Sequence, residues 1–122
     1  MELNEYQDKA MSTCMPSCEN FSYMALNLAG EVGELMSKVA KDIRKGEARI
    51  DCNQLSYARG IDGEIARIKH AKEIGDCLWM LAGLAKAYGY TLEEIAKMNL
   101  DKLAKRKEAG TIEGNGDGIY DR

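Results

Sequence analysis

Two long segments of the chain carry apolar residues at helical spacing. Between Phe21 and Arg44 the apolar positions recur at intervals of four and three residues, and similar intervals recur between Glu64 and Tyr88. Such intervals bring side chains to one face of an α-helix, so each segment predicts an amphipathic helix. The stripes consist of Phe21, Ala25, Leu28, Val32, Leu35 and Val39 in the first helix, and of Ile65, Ile68, Ala71, Ile74, Leu78, Leu81, Ala85 and Tyr88 in the second.

Local signals set the ends of these helices and open another. Gly46 and Gly89 each follow a stripe at the position where a helix commonly ends in a left-handed residue. Thr91 and Glu94 have the spacing of a capping box, in which each side chain satisfies a free backbone amide. We therefore predict a further helix from residue 92 toward Lys107.

The remaining segments complete a single domain. Residues 4–13 predict a short helix that ends before Pro16, because the residue before a proline disfavours helical dihedrals. Residues 47–63 mix Gly, Asn, Asp and Ser with isolated apolar positions and are predicted to form a loop insertion. Strand signals are nearly absent, so we predict an all-α fold, a four-helix bundle over residues 1–109, with a glycine-rich tail over residues 110–122.

Composition narrows the classes of function. The chain has 122 residues, 45% of them hydrophobic, and 17 Lys and Arg against 20 Asp and Glu give a net charge of −3. Without a basic block, binding to polymeric nucleic acid is not expected. The longest apolar run, residues 77–82, is too short to cross a membrane, and the polar N-terminus resembles no signal peptide. We expect a cytoplasmic protein with no membrane partner and with free thiols at Cys14, Cys18, Cys52 and Cys77.

Each long helix also carries a pair of carboxylates beside its apolar stripe. At about 100° per residue, Glu31 and Glu34 lie about 60° apart and about 110° from the centre of the stripe, and Glu73 and Asp76 have the same arrangement. If the helices pack side by side, the four carboxylates face one another. Two such charges 4 Å apart repel by about 4 kcal/mol at an effective dielectric constant of 20, so the cluster favours a bound cation.

The ligand chemistry favours Mg²⁺, with Mn²⁺ as a possible substitute, because both are hard cations that prefer oxygen ligands. A ferritin-like di-iron site would need Glu-x-x-His pairs, which the single histidine, His70, does not complete. Spacing alone leaves an alternative open. The same acids can be solvated surface residues that pair with neighbours such as Lys38.

Longer stretches of sequence carry more information than the acidic pairs. They resemble the MazG-like nucleoside triphosphate pyrophosphohydrolases, whose metal motif is ExxE followed by ExxD. The long spacer between the two pairs departs from the shorter members of that family. The segments that carry the resemblance are YQDKA (6–10), LAGEVGEL (28–35), KEIGDCLWMLAGLA (72–85), YGYTLEEIAKMNLDKLAKR (88–106) and the closing GNGDG.

The resemblance implies a reaction, a cofactor and a set of site residues. Family members use Mg²⁺ to cleave a nucleoside triphosphate between its α and β phosphates, releasing a nucleoside monophosphate and pyrophosphate. Here Glu31, Glu34, Glu73 and Asp76 would hold the metal. No side-chain arrangement for a covalent nucleophile occurs, so attack by metal-activated water is expected. The residues expected to contact substrate are Asn99, Lys102, Arg106 and Lys41 at the phosphates, and Gln7 and Trp79 at the nucleobase.

Two other functions stay open at this point. Phosphoribosyl-ATP pyrophosphohydrolase resembles this family in its helices and acidic motif, and a non-catalytic helical dimerisation or regulatory module would retain the bundle without turnover. The resemblance also implies a homodimer or homotetramer, because family members usually associate. An independent argument is that the five apolar residues 77–81 cover about 400° of helix rotation, which one intramolecular face cannot bury.

Overall fold

The all-α fold is confirmed. A computed structural model describes residues 1–110, and helices account for most of this range. A two-stranded hairpin is the only sheet within those residues, and a single 3₁₀ turn covers Pro16–Cys18. The elements are α1 (Leu3–Met11), α2 (Phe21–Lys45), β1 (Ala48–Asp51), β2 (Gln54–Tyr57), α3 (Ile61–Ala87) and α4 (Leu92–Ala109).

The two longest helices, α2 and α3, form an antiparallel pair that supports the rest of the fold. At one end Phe21 packs edge-on against Tyr88, with ring centroids 5.5 Å apart. Towards the other end Asp42 is hydrogen-bonded to His70. The end of α2 is set as the sequence predicts, because Gly46 adopts the left-handed conformation (φ 79°) that suits glycine.

The start of α4 also follows its local signal. Thr91 Oγ1 accepts a hydrogen bond from the Glu94 amide at 3.1 Å, and Glu94 Oε1 accepts one from the Thr91 amide at 3.0 Å. The predicted capping box is thus confirmed, and Leu92 beside it is buried. Of the predicted glycine-rich tail, only Gly110 is described, as the left-handed residue that ends α4; residues 111–122 lie outside the described range.

The predicted loop insertion at residues 47–63 is wrong in its secondary structure. Strands β1 and β2 pair antiparallel, with Ile50 opposite Leu55, and α3 begins at Ile61 rather than at residue 64. Cys52 and Asn53 connect the strands with positive φ angles of 49° and 63°. Both strands are short and largely exposed, so they lack the alternation of buried and exposed residues that identifies a strand from sequence. The turn also lacks the glycine that usually marks a two-residue hairpin loop.

The apolar stripe predicted for α3 does not form the core of the single chain. Ile74 is 57% exposed, and Ile65, Ile68 and Leu81 are exposed as well. Apart from Met80, the buried positions of α3 are small or polar, and Ala85 is the one buried residue of the predicted stripe. The other buried positions are Gly63, Ala66, His70, Glu73, Ala82 and Gly83. The spacing of the apolar residues identifies an apolar face of α3, but it does not show which other surface packs against that face. The interface between α2 and α3 uses a different face of α3.

The cysteines differ partly from expectation. The structure pairs Cys14 with Cys18 as a disulfide beside the 3₁₀ turn, so the prediction of free thiols is wrong for these two residues. These two residues are four positions apart in the sequence, on either side of Pro16. Cys52 and Cys77 are free. Among the helices of residues 1–110, none is both long and apolar enough to cross a membrane.

Candidate metal centre

Three of the four predicted metal ligands meet between α2 and α3. Glu31 projects from α2, and Glu73 and Asp76 lie one helical turn apart on α3. One carboxylate oxygen from each residue lies within 4.8 Å of the other two. Glu73 is buried, Glu31 is half-buried and Asp76 is exposed, so the group opens to solvent on one side.

Two oxygens of this group lack any partner. Oε2 of Glu31 and Oε2 of Glu73 are buried and accept no hydrogen bond within the described residues. A buried acceptor without a partner costs about 1–3 kcal/mol, and more when it is charged. A cation between the three carboxylates would satisfy both oxygens. The donor set consists only of carboxylate oxygens, which fits Mg²⁺ or Mn²⁺.

The electrostatics of the three carboxylates also favour a bound cation. Burial raises the pKa of Glu31, and the negative charges of Asp76, Glu34 and Glu73 raise it further, while Lys38 opposes the shift. Without a cation, burial and the neighbouring carboxylates therefore disfavour the ionised form of Glu31.

Two uncharged neighbours respond to the same negative potential. Burial raises the pKa of the Cys77 thiol, and Glu31, Asp76 and Glu73 add to the shift. Burial also raises the pKa of Tyr6 on α1, and the charge of Asp76 contributes.

Glu34, the fourth predicted ligand, lies outside the group in this structure. Its side chain is 54% exposed, and its Oε1 lies 3.7 Å from Nζ of Lys38. The same Lys38 ammonium donates a hydrogen bond to Oε1 of Glu73, and this hydrogen bond is the main reason that the pKa of Lys38 is raised. Lys38 thus links Glu34 to the edge of the group. The assignment of Glu34 as a ligand stays a prediction.

A basic cavity adjoins the carboxylates on the side of the hairpin. It has a volume of about 280 Å³, and Glu73 lines it as well as belonging to the carboxylate group. We call it the lysine groove. Of the predicted phosphate contacts, Lys41 lies here. The groove is lined by Lys38, Lys41, Asp42 and Lys45 from α2 and by Lys69, Lys72 and Glu73 from α3.

A second cavity of about 330 Å³ lies toward the opposite end of the α2 and α3 pair. We call it the apolar cavity, since Met11, Phe21 and Met24 contribute to its wall beside the backbone of Gly83. Met24 packs directly over Gly83, where a larger residue on α3 would meet its side chain. The carboxylate group therefore has an apolar cavity toward one end of the helix pair and a basic one toward the other.

A buried polar network beside the lysine groove was not predicted from the sequence. Nε2 of His70 lies 2.7 Å from Oδ2 of Asp42, and Nδ1 lies 2.8 Å from Oη of Tyr57 on β2. His70 is only 3% exposed. The network fastens the hairpin to the helix pair. Its signal in the sequence is weak, because the three residues belong to three different elements.

Gln7 and Trp79, the predicted nucleobase contacts, both make hydrogen bonds within the chain. The Gln7 amide donates to the carbonyls of Ala82 (3.1 Å) and Tyr90 (3.2 Å) and accepts from the Leu92 amide (3.0 Å). Gln7 is buried, so it joins α1 to the end of α3 and the start of α4. Its assignment to the nucleobase stays a prediction.

Trp79 makes comparable contacts at the C-terminal end of α1. Its Nε1 donates to the carbonyl of Ala10 at 3.1 Å and to Oγ1 of Thr13 at 3.0 Å. The indole packs against the core of the single chain. The structure gives Trp79 the packing role that indoles commonly have in cores, and its contact with substrate likewise stays a prediction.

Three residues predicted to contact the phosphates lie on α4, after its buried first residue, Leu92. Asn99 lies seven residues beyond Leu92, about 10 Å along the helix axis, and is exposed. Lys102 and Arg106 are half-buried and interact with other groups. Within residues 1–110, none of these three lines the lysine groove.

Comparisons with known proteins place this geometry in context. A family model described as the MazG nucleotide pyrophosphohydrolase domain matches residues 19–111. This range includes the whole carboxylate group and the lysine groove. The chain is also similar to the Gene 37 protein of Mycobacterium phage L5, with 32% identity over 124 aligned positions that cover 96% of this chain and 98% of the relative. No solved structure shows a significant match.

Proposed function

The chain belongs to the MazG nucleotide pyrophosphohydrolase family, and we propose that it is a Mg²⁺-dependent enzyme that cleaves a ribo- or deoxyribonucleoside triphosphate to the monophosphate and pyrophosphate. The observation that carries the proposal is the group of Glu31, Glu73 and Asp76, with two buried oxygens that lack a partner within the described part of the chain. Its biological role would be control or cleaning of the nucleotide pool.

The carboxylates supply the binding site for a divalent cation. Glu31 and Glu73 each have a buried oxygen without a partner in the described chain, and Asp76 is exposed on the solvent side. Glu34 is close enough to raise the pKa of Glu31 and lies one helical turn from it, so it is the natural additional ligand. Mg²⁺, when bound there, offsets the charge of phosphate oxygens and activates water for attack on phosphorus.

Lys38 has a separate role at the border between the carboxylates and the lysine groove. In this structure its ammonium group offsets the charge of Glu73 and lies near Glu34. A cation at the carboxylates would remove the need for that contact. Lys38 would then be available to donate hydrogen bonds to phosphate oxygens as charge develops on them during cleavage.

A homodimer or homotetramer is part of the proposal. Large apolar side chains remain exposed along both long helices, among them Leu26 (74% exposed), Met36 and Ile74. Exposed apolar surface on this scale is characteristic of interaction sites, and a symmetric contact between copies would cover it. Oligomerisation would also restrict the access of bulk water to the exposed side of Asp76.

The direct test is a pyrophosphate-release screen of the eight canonical nucleoside triphosphates, with phosphoribosyl-ATP as a ninth substrate. We expect turnover in MgCl₂ and none in EDTA, with monophosphate and pyrophosphate as products. In ¹⁸O-labelled water, attack at the α phosphorus places the label in the monophosphate. Orthophosphate and a diphosphate as products would contradict the proposal, and turnover of phosphoribosyl-ATP alone would assign the other pyrophosphohydrolase activity.

Variants of the carboxylates test the site itself. Glu73→Gln and Asp76→Asn should each lower the rate by at least about 100-fold, because each removes a charge that holds the cation and its substrate. Glu64→Gln is a matched control on the same helix, where the carboxylate is exposed and lies near Arg67. Circular dichroism should show unchanged helix content in all three. Near-normal rates in both site variants would contradict the assignment.

A further inference from the structure

The lysine groove has the properties of an anion site that the carboxylates alone do not explain. Five ammonium groups and two carboxylates, those of Asp42 and Glu73, line a cavity of about 280 Å³, and Glu73 is shared with the carboxylate group. Four of these lysines form no ion pair in the range 1–110. They are Lys41, Lys45, Lys69 and Lys72.

The two carboxylates that line the groove are engaged with other partners. Oδ2 of Asp42 accepts a hydrogen bond from Nε2 of His70, and Oε1 of Glu73 accepts one from Lys38. The positive charge of the four remaining lysines is therefore not offset by a contact within the described chain. A dianionic or more highly charged ligand would offset it.

The two cavities and the carboxylate group have a fixed order along the helix pair, and this order defines an orientation for a bound ligand. On α2, Met24 lies seven residues before Glu31 and Lys38 lies seven residues after it, which is about 10 Å in each direction along the axis. Seven residues are close to two full turns, so the three side chains leave the helix on nearly the same face. The apolar cavity, the carboxylates and the lysine groove thus follow one another in a line.

A nucleoside triphosphate has the same order of chemical groups. Its α phosphate, where cleavage occurs, lies between an uncharged nucleoside and two further phosphates that carry most of the charge. The apolar cavity suits the nucleoside, because its wall has apolar side chains and a single lysine, Lys86, with the carboxylate of Glu19 also in the wall. The lysine groove suits the two terminal phosphates.

We infer that the lysine groove binds the β and γ phosphates of the substrate and retains them as pyrophosphate after cleavage. This inference rests on the proposed function, since it assigns one end of the same substrate. It fixes the orientation of the triphosphate, with the terminal phosphates directed toward the hairpin. It also makes pyrophosphate a ligand in its own right.

Pyrophosphate itself is the probe for the test. We compare the wild-type chain with the double variant Lys41→Gln and Lys69→Gln, which removes one groove lysine from each helix and leaves Lys38 and Glu73 intact. Lys97→Gln with Lys107→Gln is the matched control, because both residues are exposed on α4 and do not line the groove. Isothermal titration calorimetry with pyrophosphate in excess MgCl₂ measures affinity, and circular dichroism checks folding.

The groove variant should bind pyrophosphate at least about tenfold more weakly than wild type, since it loses two charge-assisted hydrogen bonds. The control variant should bind it as wild type does. The inference is overturned if wild type does not bind pyrophosphate, if the groove variant binds it equally well, or if both variants lose the same affinity.

The same proteins separate this inference from the proposed function. If no triphosphate is hydrolysed but pyrophosphate binding depends on the groove lysines, the proposed function fails and the anion site stands. If triphosphates are hydrolysed and pyrophosphate binding is unchanged in the groove variant, the inference fails and the proposed function stands.

Discussion

Replacing Glu31 by Gln changes the charge of the carboxylate group of Glu31, Glu73 and Asp76 while keeping the side chain nearly the same shape. Glutamine has the size of glutamate but no charge, so it removes one negative charge from a group whose oxygens lie within 4.8 Å of one another. The variant separates two effects of the same side chain. In the metal-free protein the charge of Glu31 is unfavourable, whereas the proposed function requires that charge for binding the metal.

The magnitude follows from the geometry. Two carboxylate charges 4.8 Å apart repel by about 3.5 kcal/mol at an effective dielectric constant of 20. Lys38 offsets the charge of Glu73, and solvent screens the exposed Asp76, so much of this repulsion is not felt. We expect Glu31→Gln to raise the free energy of unfolding of the metal-free protein by about 1–2 kcal/mol.

The effect has a defined pH dependence. Because the pKa of Glu31 is raised in the folded chain, the folded state binds a proton more readily than the unfolded state. The contribution of Glu31 to stability is therefore most favourable below its ordinary pKa and is lost as the pH rises through its raised value. The advantage of the Gln variant should be absent in acid and should grow toward neutral pH.

Urea unfolding followed by circular dichroism measures this, at one fixed protein concentration because oligomerisation also affects stability. In EDTA at neutral pH, Glu31→Gln should be the more stable protein. In MgCl₂ at 100 times its dissociation constant, wild type should gain about 2.7 kcal/mol, and the variant should gain much less.

Glu108→Gln serves as a control for the loss of a surface carboxylate, since Glu108 is exposed on α4, away from the carboxylate group. It should change stability by less than about 0.5 kcal/mol in either buffer. A less stable Glu31→Gln variant in EDTA, or an equal response of variant and wild type to MgCl₂, would refute the reasoning.

Three further predictions concern the fold and its assembly. Gln7→Ala should lower the free energy of unfolding by about 2–3 kcal/mol in urea titrations, because it removes three hydrogen bonds and leaves a buried amide without a partner. Gly63→Ala should lower the free energy of unfolding by at least about 2 kcal/mol in the same assay, since the added methyl would meet the backbone of Ala58. In the matched control Gly75→Ala the methyl would enter open space, so this variant should be as stable as wild type or more stable. Light scattering should give two or four times the 13.5 kDa of one chain, and a stable, active monomer would contradict the proposed assembly.

The parts of the fold that could be predicted from sequence depend on local interactions. The end of α2 at Gly46 and the capping box of Thr91 and Glu94 involve residues within one turn of each other, so the sequence contains all the information that they need. The same holds for the pairing of acids within each helix. Glu73 and Asp76 are adjacent on α3 whatever the tertiary structure is.

Features that depend on contacts between elements were predicted less well. The distance across the helix pair decides which acids meet, and it brings Glu31 rather than Glu34 to the acids of α3. The hairpin was missed because its strands are short and exposed. The spacing of Lys38, Lys41 and Lys45 on one face of α2, next to an acidic pair, was a usable signal for the lysine groove, and Lys69 and Lys72 repeat it on α3.

The hairpin and the lysine groove are parts of one arrangement. An ionised Asp42 can only accept hydrogen bonds, so Nε2 of His70 donates to it, and the other ring nitrogen is left to pair with Tyr57 of β2. Through His70, the hairpin fixes Oδ2 of Asp42, one of the two carboxylates that line the groove, in a hydrogen bond. The insertion between the two acidic pairs thus holds a wall residue of the groove in place, although it contributes no residue to the carboxylate group.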